Sequence, residues 1–443
     1  MRTVMRRALT GAAALVMLMG GVAAASGQER TDSAELERLR RQVEAITREL
    51  EAMRLGEDVA PAADSSLRGF GPAASKVYRV DRGVSIGGYG EVLYENFATE
   101  RQNDAPSGAR DQVDALRAIV YFGYKFNDRL LFNSEIEVEH GSTDQAGSVS
   151  VEFAYIDYLF APSFGARAGV VLVPMGFVNE LHEPPIFLGT TRPLTENAII
   201  PTTWRENGVG LFGDLGGLSW RAFVVNGLDG VGGGPSNASG FSASGLRGGR
   251  QKASRALIED PGVVARADYS AAGPLRGLLV GGSVYTGGSG QGAVTTGGAE
   301  IQAQTTIWEA HAQYRAHGFD LRGLYAAASV DDVAELNAAR GLDGTGSIGE
   351  ELTGWYVQAG YDVLTLANTE HELTPYVRYE ALNTQAEVPT GFAANAANDR
   401  NVLLLGAQWK PITNVVLKAD YQIHRNEAST GLNQFNVALG YLF

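Results

Sequence analysis

Over most of the chain, apolar and polar residues alternate with a period of two. In NVVLKADYQIH, Val415, Leu417, Ala419, Tyr421 and Ile423 share one face of an extended chain. Lys418, Asp420, Gln422 and His424 share the other. LLFNSEIEVEH sets Leu130, Phe132, Ile136 and Val138 against Asn133, Glu135, Glu137 and Glu139. GWYVQAGYDVL, TIWEAHAQYRA and ELTPYVRYE repeat the arrangement, with aromatics near the ends of the apolar face. Successive side chains of a strand point to opposite faces, so each segment predicts a strand with one apolar and one charged side. Sixteen such segments are expected, near 83–95, 112–126, 129–140, 149–160, 164–173, 204–213, 217–227, 262–270, 276–287, 303–316, 318–330, 352–364, 372–382, 400–410, 414–426 and 432–443.

The connections alternate in length. Asn127-Asp128, Ala161-Pro162-Ser163, Asp214-Leu215-Gly216, His317-Gly318 and Pro411-Ile412-Thr413 are tight turns. Between them lie long polar stretches at 96–111, 174–203, 228–261, 288–302, 331–351 and 383–399. Short turns at one end, long loops at the other and an even strand count describe a transmembrane barrel of the outer-membrane type. Closure removes the sheet edges that a bilayer cannot satisfy. The expected fold is therefore all-β, a 16-stranded antiparallel transmembrane β-barrel over 81–443, with the apolar faces against outer-membrane lipid. The closing segment NQFNVALGYLF places Phe435, Val437, Leu439, Tyr441 and Phe443 on the lipid face. It resembles the terminal aromatic strand that outer-membrane proteins share as an assembly signal.

Other segments precede the barrel. Arg2, Arg6 and Arg7, an apolar run to Met19 and an Ala-x-Ala arrangement at Ala23 and Ala25 predict a secretory signal peptide over 1–25. In 31–56, Leu36, Leu39, Val43, Ile46, Leu50 and Met53 recur at spacings of three and four. That is a coiled-coil stripe, and its Leu and Ile choices favour three helices. Residues 57–80 read as a flexible linker. The expected placement is the bacterial outer membrane with the N-terminal segment in the periplasm, where the coiled coil offers an envelope contact.

Charge and composition narrow the function. The formal net charge is −14, and loss of the leader arginines makes it more negative, which excludes a nucleic-acid partner. No cysteine is present, so thiolate chemistry and disulfides are excluded. His140, His182, His311, His317, His371 and His424 never fall at metal-ligand spacings. No metal, cofactor or catalytic set is expected. GLDGVGGGPSNASG and LDGTGSIGEE read as flexible external glycine-rich loops.

A barrel of about sixteen strands leaves an aqueous channel. The inward charged faces predict pore-lining roles for Arg117, Glu135, Glu137, Glu139, Arg167, Arg205, Arg221, Arg266, Glu309, Arg315, Arg378, Glu380, Lys418 and Asp420. The stretch near 174–203 is the long connection with real apolar content, including Phe177, Ile186, Phe187, Leu188, Ile199 and Ile200, and it carries five prolines. It is expected to fold into the barrel as a constriction loop, apolar groups against the wall and Glu180, His182, Glu183, Arg192 and Glu196 toward water.

VLVPMGFVNELHEPP, continuing through RPLTENAIIPTTWRENGVGLFG, resembles the phosphate-selective porin O and P family, as do GGYGEVLYENF, LTPYVRYE and NVALGYLF. The resemblance implies a homotrimer of sixteen-stranded barrels with an inward third loop, some members adding a periplasmic coiled coil. Family members selective for phosphate use a ladder of arginines and lysines. Here the third strand is acidic and the inward loop mixed. The expected function is thus a weakly selective porin for small hydrophilic solutes or ions. The alternative is an anion- or phosphate-selective porin, and a barrel enzyme or envelope tether stands behind both.

Overall fold

The computed structural model describes residues 67–443, apart from 144–146 and 368, together with Val43. The chain divides into two compact units, Met1–Asp58 and Val59–Phe443. The expected leader lies outside the described residues, and of the coiled-coil segment only Val43 falls within them.

All sixteen expected strands form. They are β1 (Gly83–Phe97), β2 (Gln112–Lys125), β3 (Leu130–Glu139), β4 (Ser148–Ala161), β5 (Phe164–Leu172) and β6 (Arg205–Leu215). Next come β7 (Leu218–Asn226), β8 (Pro261–Ser270), β9 (Leu278–Gly287), β10 (Thr305–Ala316) and β11 (Phe319–Val330). β12 (Glu351–Tyr361), β13 (Glu372–Glu387), β14 (Asp399–Ile412), β15 (Val415–Asn426) and β16 (Gln434–Leu442) complete the set. Each pairs with its chain neighbours, and β1 pairs antiparallel with β16, so the sheet closes. Phe443 N–H donates to the Gly88 carbonyl at 2.9 Å, and Gly88 N–H returns the bond at 3.0 Å.

Closure is what the alternation requires, and burial shows it inside out. On β15, Lys418, Asp420 and Gln422 are 2%, 2% and 3% exposed, while Leu417 and Tyr421 are 38% and 42% exposed. A water-soluble sheet would reverse those figures. At the tight-turn rim the outward aromatics form a chain of contacts: Tyr124 on Phe126, Tyr158 on Phe160, Phe160 on Phe164, and Phe164 on Trp220. These are the girdle that membrane barrels place at the interface.

The tight turns follow from their residues. Gly216 and Gly217 both have positive φ, +57° and +92°, as do His317 and Gly318 at +54° and +84°. Two-residue hairpins with positive φ at both positions match the twist of the strands they join.

One expectation gives way here. Residues 67–80, part of the expected linker, lie against the barrel's inner wall. Phe70, Ala73, Ala74, Ser75 and Val77 are buried. Phe70 packs on Phe153 and Tyr155 at 5.0 and 5.4 Å between ring centroids. Tyr78 donates to Asp157 at 2.7 Å, and Lys125 donates to the Val80 carbonyl at 2.8 Å. Small residues around one aromatic read as a linker, yet the same composition lets the backbone approach the wall closely.

Leu405 lies mid-strand on β14 and is exposed. Leu405→Arg is expected to lower barrel stability by about 2–4 kcal/mol in lipid vesicles, against about 0–1 kcal/mol for Phe443→Arg at the strand end. Denaturant unfolding followed by tryptophan fluorescence measures both; equal, negligible losses would contradict the lipid-facing assignment.

Candidate functional site

The segment between β5 and β6, residues 173–204, folds inward as expected. Asn179 closes its base: the side-chain amide donates to the carbonyls of Val173 at 2.6 Å and Trp204 at 2.9 Å, and Oδ1 accepts from Trp204 N–H at 2.6 Å. Trp204 is fully buried, 4.8 Å from the Tyr285 ring. Val173, Met175, Phe177, Ile199 and Ile200 are buried in one cluster with inward side chains of the wall. A short helix, α1 (Thr195–Ala198), turns the chain back toward β6.

The charged residues of this loop do not face open water. Glu180 lies 3.5 Å from Arg221 and 4.0 Å from Arg266. His182 Nε2 is 3.2 Å from Glu135, and its Nδ1 is 2.9 Å from the Asn179 carbonyl. Glu183 accepts from the N–H groups of Ala73 and Ala74 at 3.1 and 3.0 Å, so it joins the loop to the 67–80 segment. A Cβ on Gly71 would lie 2.6 Å from the Glu183 carboxyl carbon, so a larger residue there would have to displace that carboxylate. Arg192 donates to Thr203 Oγ1 at 2.7 Å. Glu196 accepts from Val178 N–H at 2.8 Å and from Tyr356 at 2.6 Å. The reason is backbone accounting. An irregular segment inside a barrel brings N–H and C=O groups that must find partners, and its own charges supply them. Burial raises the Glu196 carboxyl above its usual range and pushes Glu183 up to about 7.

The expected pore-lining residues do point inward, but most are paired. Arg117 meets Glu91 at 3.4 Å, Arg167 meets Asp157 at 2.8 Å, and Arg205 meets Glu152. Arg221 and Arg266 converge on Asp268 at 2.6 and 2.8 Å. Glu309 holds His311 at 2.7 Å, and Arg315 lies 3.3 Å from Asp320. On the opposite wall the loop backbone is the partner. Lys418 donates to the carbonyls of Phe187 and Gly189, Asp420 accepts from Thr190 N–H, and Glu380 accepts from Thr195 N–H. Arg378 donates to the Thr191 carbonyl at 3.4 Å. Glu135 faces His182, Glu137 is buried, and Glu139 accepts from Ser148 at 3.0 Å.

Two further segments contribute to the site. The 227–260 loop, of which 227–240 was expected to be a flexible external stretch, buries Leu228, Phe241 and Leu246. Its Leu246 N–H donates to the Ala198 carbonyl at 3.0 Å, and Arg247 donates to the Thr202 carbonyl at 2.8 Å. The loop thus sits on the inward loop, and its Phe and Leu among glycines were the available signal. The second is a bulge in β4. Glu135 pairs with Phe153 and Ile136 with Val151, leaving Glu152 as the extra residue, turned inward and buried.

A cavity of about 1130 Å³ enters from the tight-turn end. It reaches inward to Phe177, Glu180, Arg221, Arg266 and Arg322. Its lining carries six arginines and three carboxylates, and Asp320 beside it pairs with Arg315 and Arg322 at 3.3 and 3.0 Å.

No family model matches the chain. Among solved structures, a loop L8 deletion mutant of OmpT, an outer membrane protein of Vibrio cholerae, superposes with a TM-score of 0.51 at 14% identity, covering 82% of this chain and 100% of that one. A mutant of the Rh. blastica porin gives 0.45 at 11% identity, over 81% and 100%. The first likeness shows the fold, that of an outer-membrane barrel. An uncharacterised protein of Aquifex aeolicus strain VF5 is 39% identical over 374 residues, 82% of this chain and 81% of its own. The chain belongs to the same family as that Aquifex protein.

Proposed function

We propose that the protein is an outer-membrane porin, a passive and weakly selective channel for small hydrophilic solutes or ions, and not an enzyme. The observation that carries this reading is the closed sixteen-strand barrel with a polar lumen entered by the large cavity at its tight-turn end. That end is the periplasmic one in barrels of this type. A homotrimer and a periplasmic N-terminal segment belong to the same reading and rest on the coiled-coil stripe and the porin O and P resemblance.

Weak selectivity follows from the pairing. A cationic ring selects anions when its charge is free to replace their hydration. Arg167, Arg205, Arg221, Arg266 and Arg322 each have a carboxylate within 3 Å or less, which cancels most of that field. The anion-selective alternative is supported by Arg192, Arg378 and Arg400, which form no ion pair among the described residues.

Liposomes carrying the folded protein are expected to swell in isotonic small sugars at rates falling with solute size. Folded protein that leaves swelling at the protein-free level would sink the porin reading and return the enzyme and tether readings. Glu183→Ala is expected to leave the Ala73 and Ala74 N–H groups unpartnered and weaken docking of 67–80 by about 2–3 kcal/mol. Single-channel conductance then rises and trypsin cuts at Lys76 in the folded barrel; unchanged conductance and protection would show that this segment does not narrow the path.

A further inference from the structure

Three acceptors that share no sequence motif converge inside the barrel. Glu135 projects from β3, Glu152 from the β4 bulge, and His182 from the inward loop, all buried. One ligand-capable atom of each lies within 4.8 Å of the other two. Two ligands at about 2.1 Å from one ion stand at most about 4.2 Å apart, so a contraction of about half an ångström completes the geometry.

Arg205, Arg192 and Arg117 lie near the two carboxylates, yet the hydrogen bonds leave part of the ligand set unused. His182 Nδ1 lies 2.9 Å from the Asn179 carbonyl, which can only accept, so Nδ1 carries the proton. In the neutral ring, Nε2 then presents a lone pair to Glu135 at 3.2 Å, a contact that either a shared proton or a metal ion between the two atoms satisfies. An imidazole fixed through its other nitrogen by a backbone carbonyl is the usual arrangement of a metal-bound histidine. Glu135 Oε2 is buried and has no hydrogen-bond partner. Arg205 reaches Glu152 through Oε1 alone, and Glu137 adds a further carboxyl beside Glu152. A bulge that re-aims a carboxylate into such a cluster is a feature that folds keep for a purpose.

We propose that Glu135, Glu152 and His182 bind a divalent transition-metal ion that pins the inward loop to the β3–β4 wall. One imidazole and two carboxylates suit zinc, cobalt, nickel or manganese ions, and the imidazole argues against calcium or magnesium. The three ligands come from three elements, so the ion would hold the constriction as a cross-link.

The test uses the full chain, purified in detergent, stripped with chelator and titrated with Co²⁺, whose visible absorption reports its ligands. The wild type is expected to take up about one ion per chain, and Glu135→Gln and His182→Gln each to weaken uptake about tenfold or more. His140→Gln, which changes an exposed histidine, is expected to match the wild type. Heat-modifiable gel mobility confirms that each barrel is folded. A folded wild type that takes up no Co²⁺ overturns the site, as does uptake that both lumenal variants retain. Where a variant does not fold, X-ray absorption of wild type loaded with Zn²⁺ decides. One imidazole with carboxylate oxygens supports the site, and two imidazoles or an all-oxygen shell overturns it.

Discussion

Everything in this structure descends from one constraint: a bilayer offers no hydrogen bonds. Sixteen strands can cross it only by satisfying one another, so β1 must meet β16 and the alternating faces must sort, apolar outward and polar inward. The outward assignment of Leu417 and Tyr421 and the inward assignment of Lys418 and Asp420 are the same fact seen from two sides.

The inward charges then face a second form of the constraint. Segments 67–80 and 173–204 enter the lumen as irregular backbone, and each N–H and C=O they bring must be met. The wall meets them with side chains. Glu380, Asp420 and Lys418 bind the loop backbone, while Asn133 donates to the Ala74 carbonyl. The same side chains that mark the lumen as polar are therefore spent on holding its contents in place. Charges left over pair with each other, as Arg167 does with Asp157 and Arg266 with Asp268. A lumen built this way is polar without carrying a strong field of one sign, which joins the fold to the weak selectivity we infer.

The strands were legible because lipid on one face and polar groups on the other force a period of two. Only β13 ran well past its expected end, to Glu387. The inward loop was legible because Phe177, Ile186 and Ile199 have no reason to sit in an exposed connection. What those loop charges do was not legible. Glu180 and Glu183 look alike in sequence, yet one meets guanidinium groups and the other meets backbone amides. Residues 67–80 were missed because small residues serve flexible linkers and close packing equally well. Glu152 was legible as a polar-face residue, whereas the bulge that leaves both it and Phe153 turned inward was not, because alternation alone cannot announce one extra residue. The meeting of His182 with Glu135 is a product of closure, joining positions 47 residues apart.

On this reading, pairing inside the barrel cancels most of the field of its arginines. The most direct measurement is the zero-current potential of the purified protein in a planar bilayer under a KCl gradient, with phosphate then added. The expected result is measurable conductance with a small potential and little response to phosphate. A potential near the ideal value for anions, with block by phosphate, would contradict it and show that the unpaired arginines dominate the path.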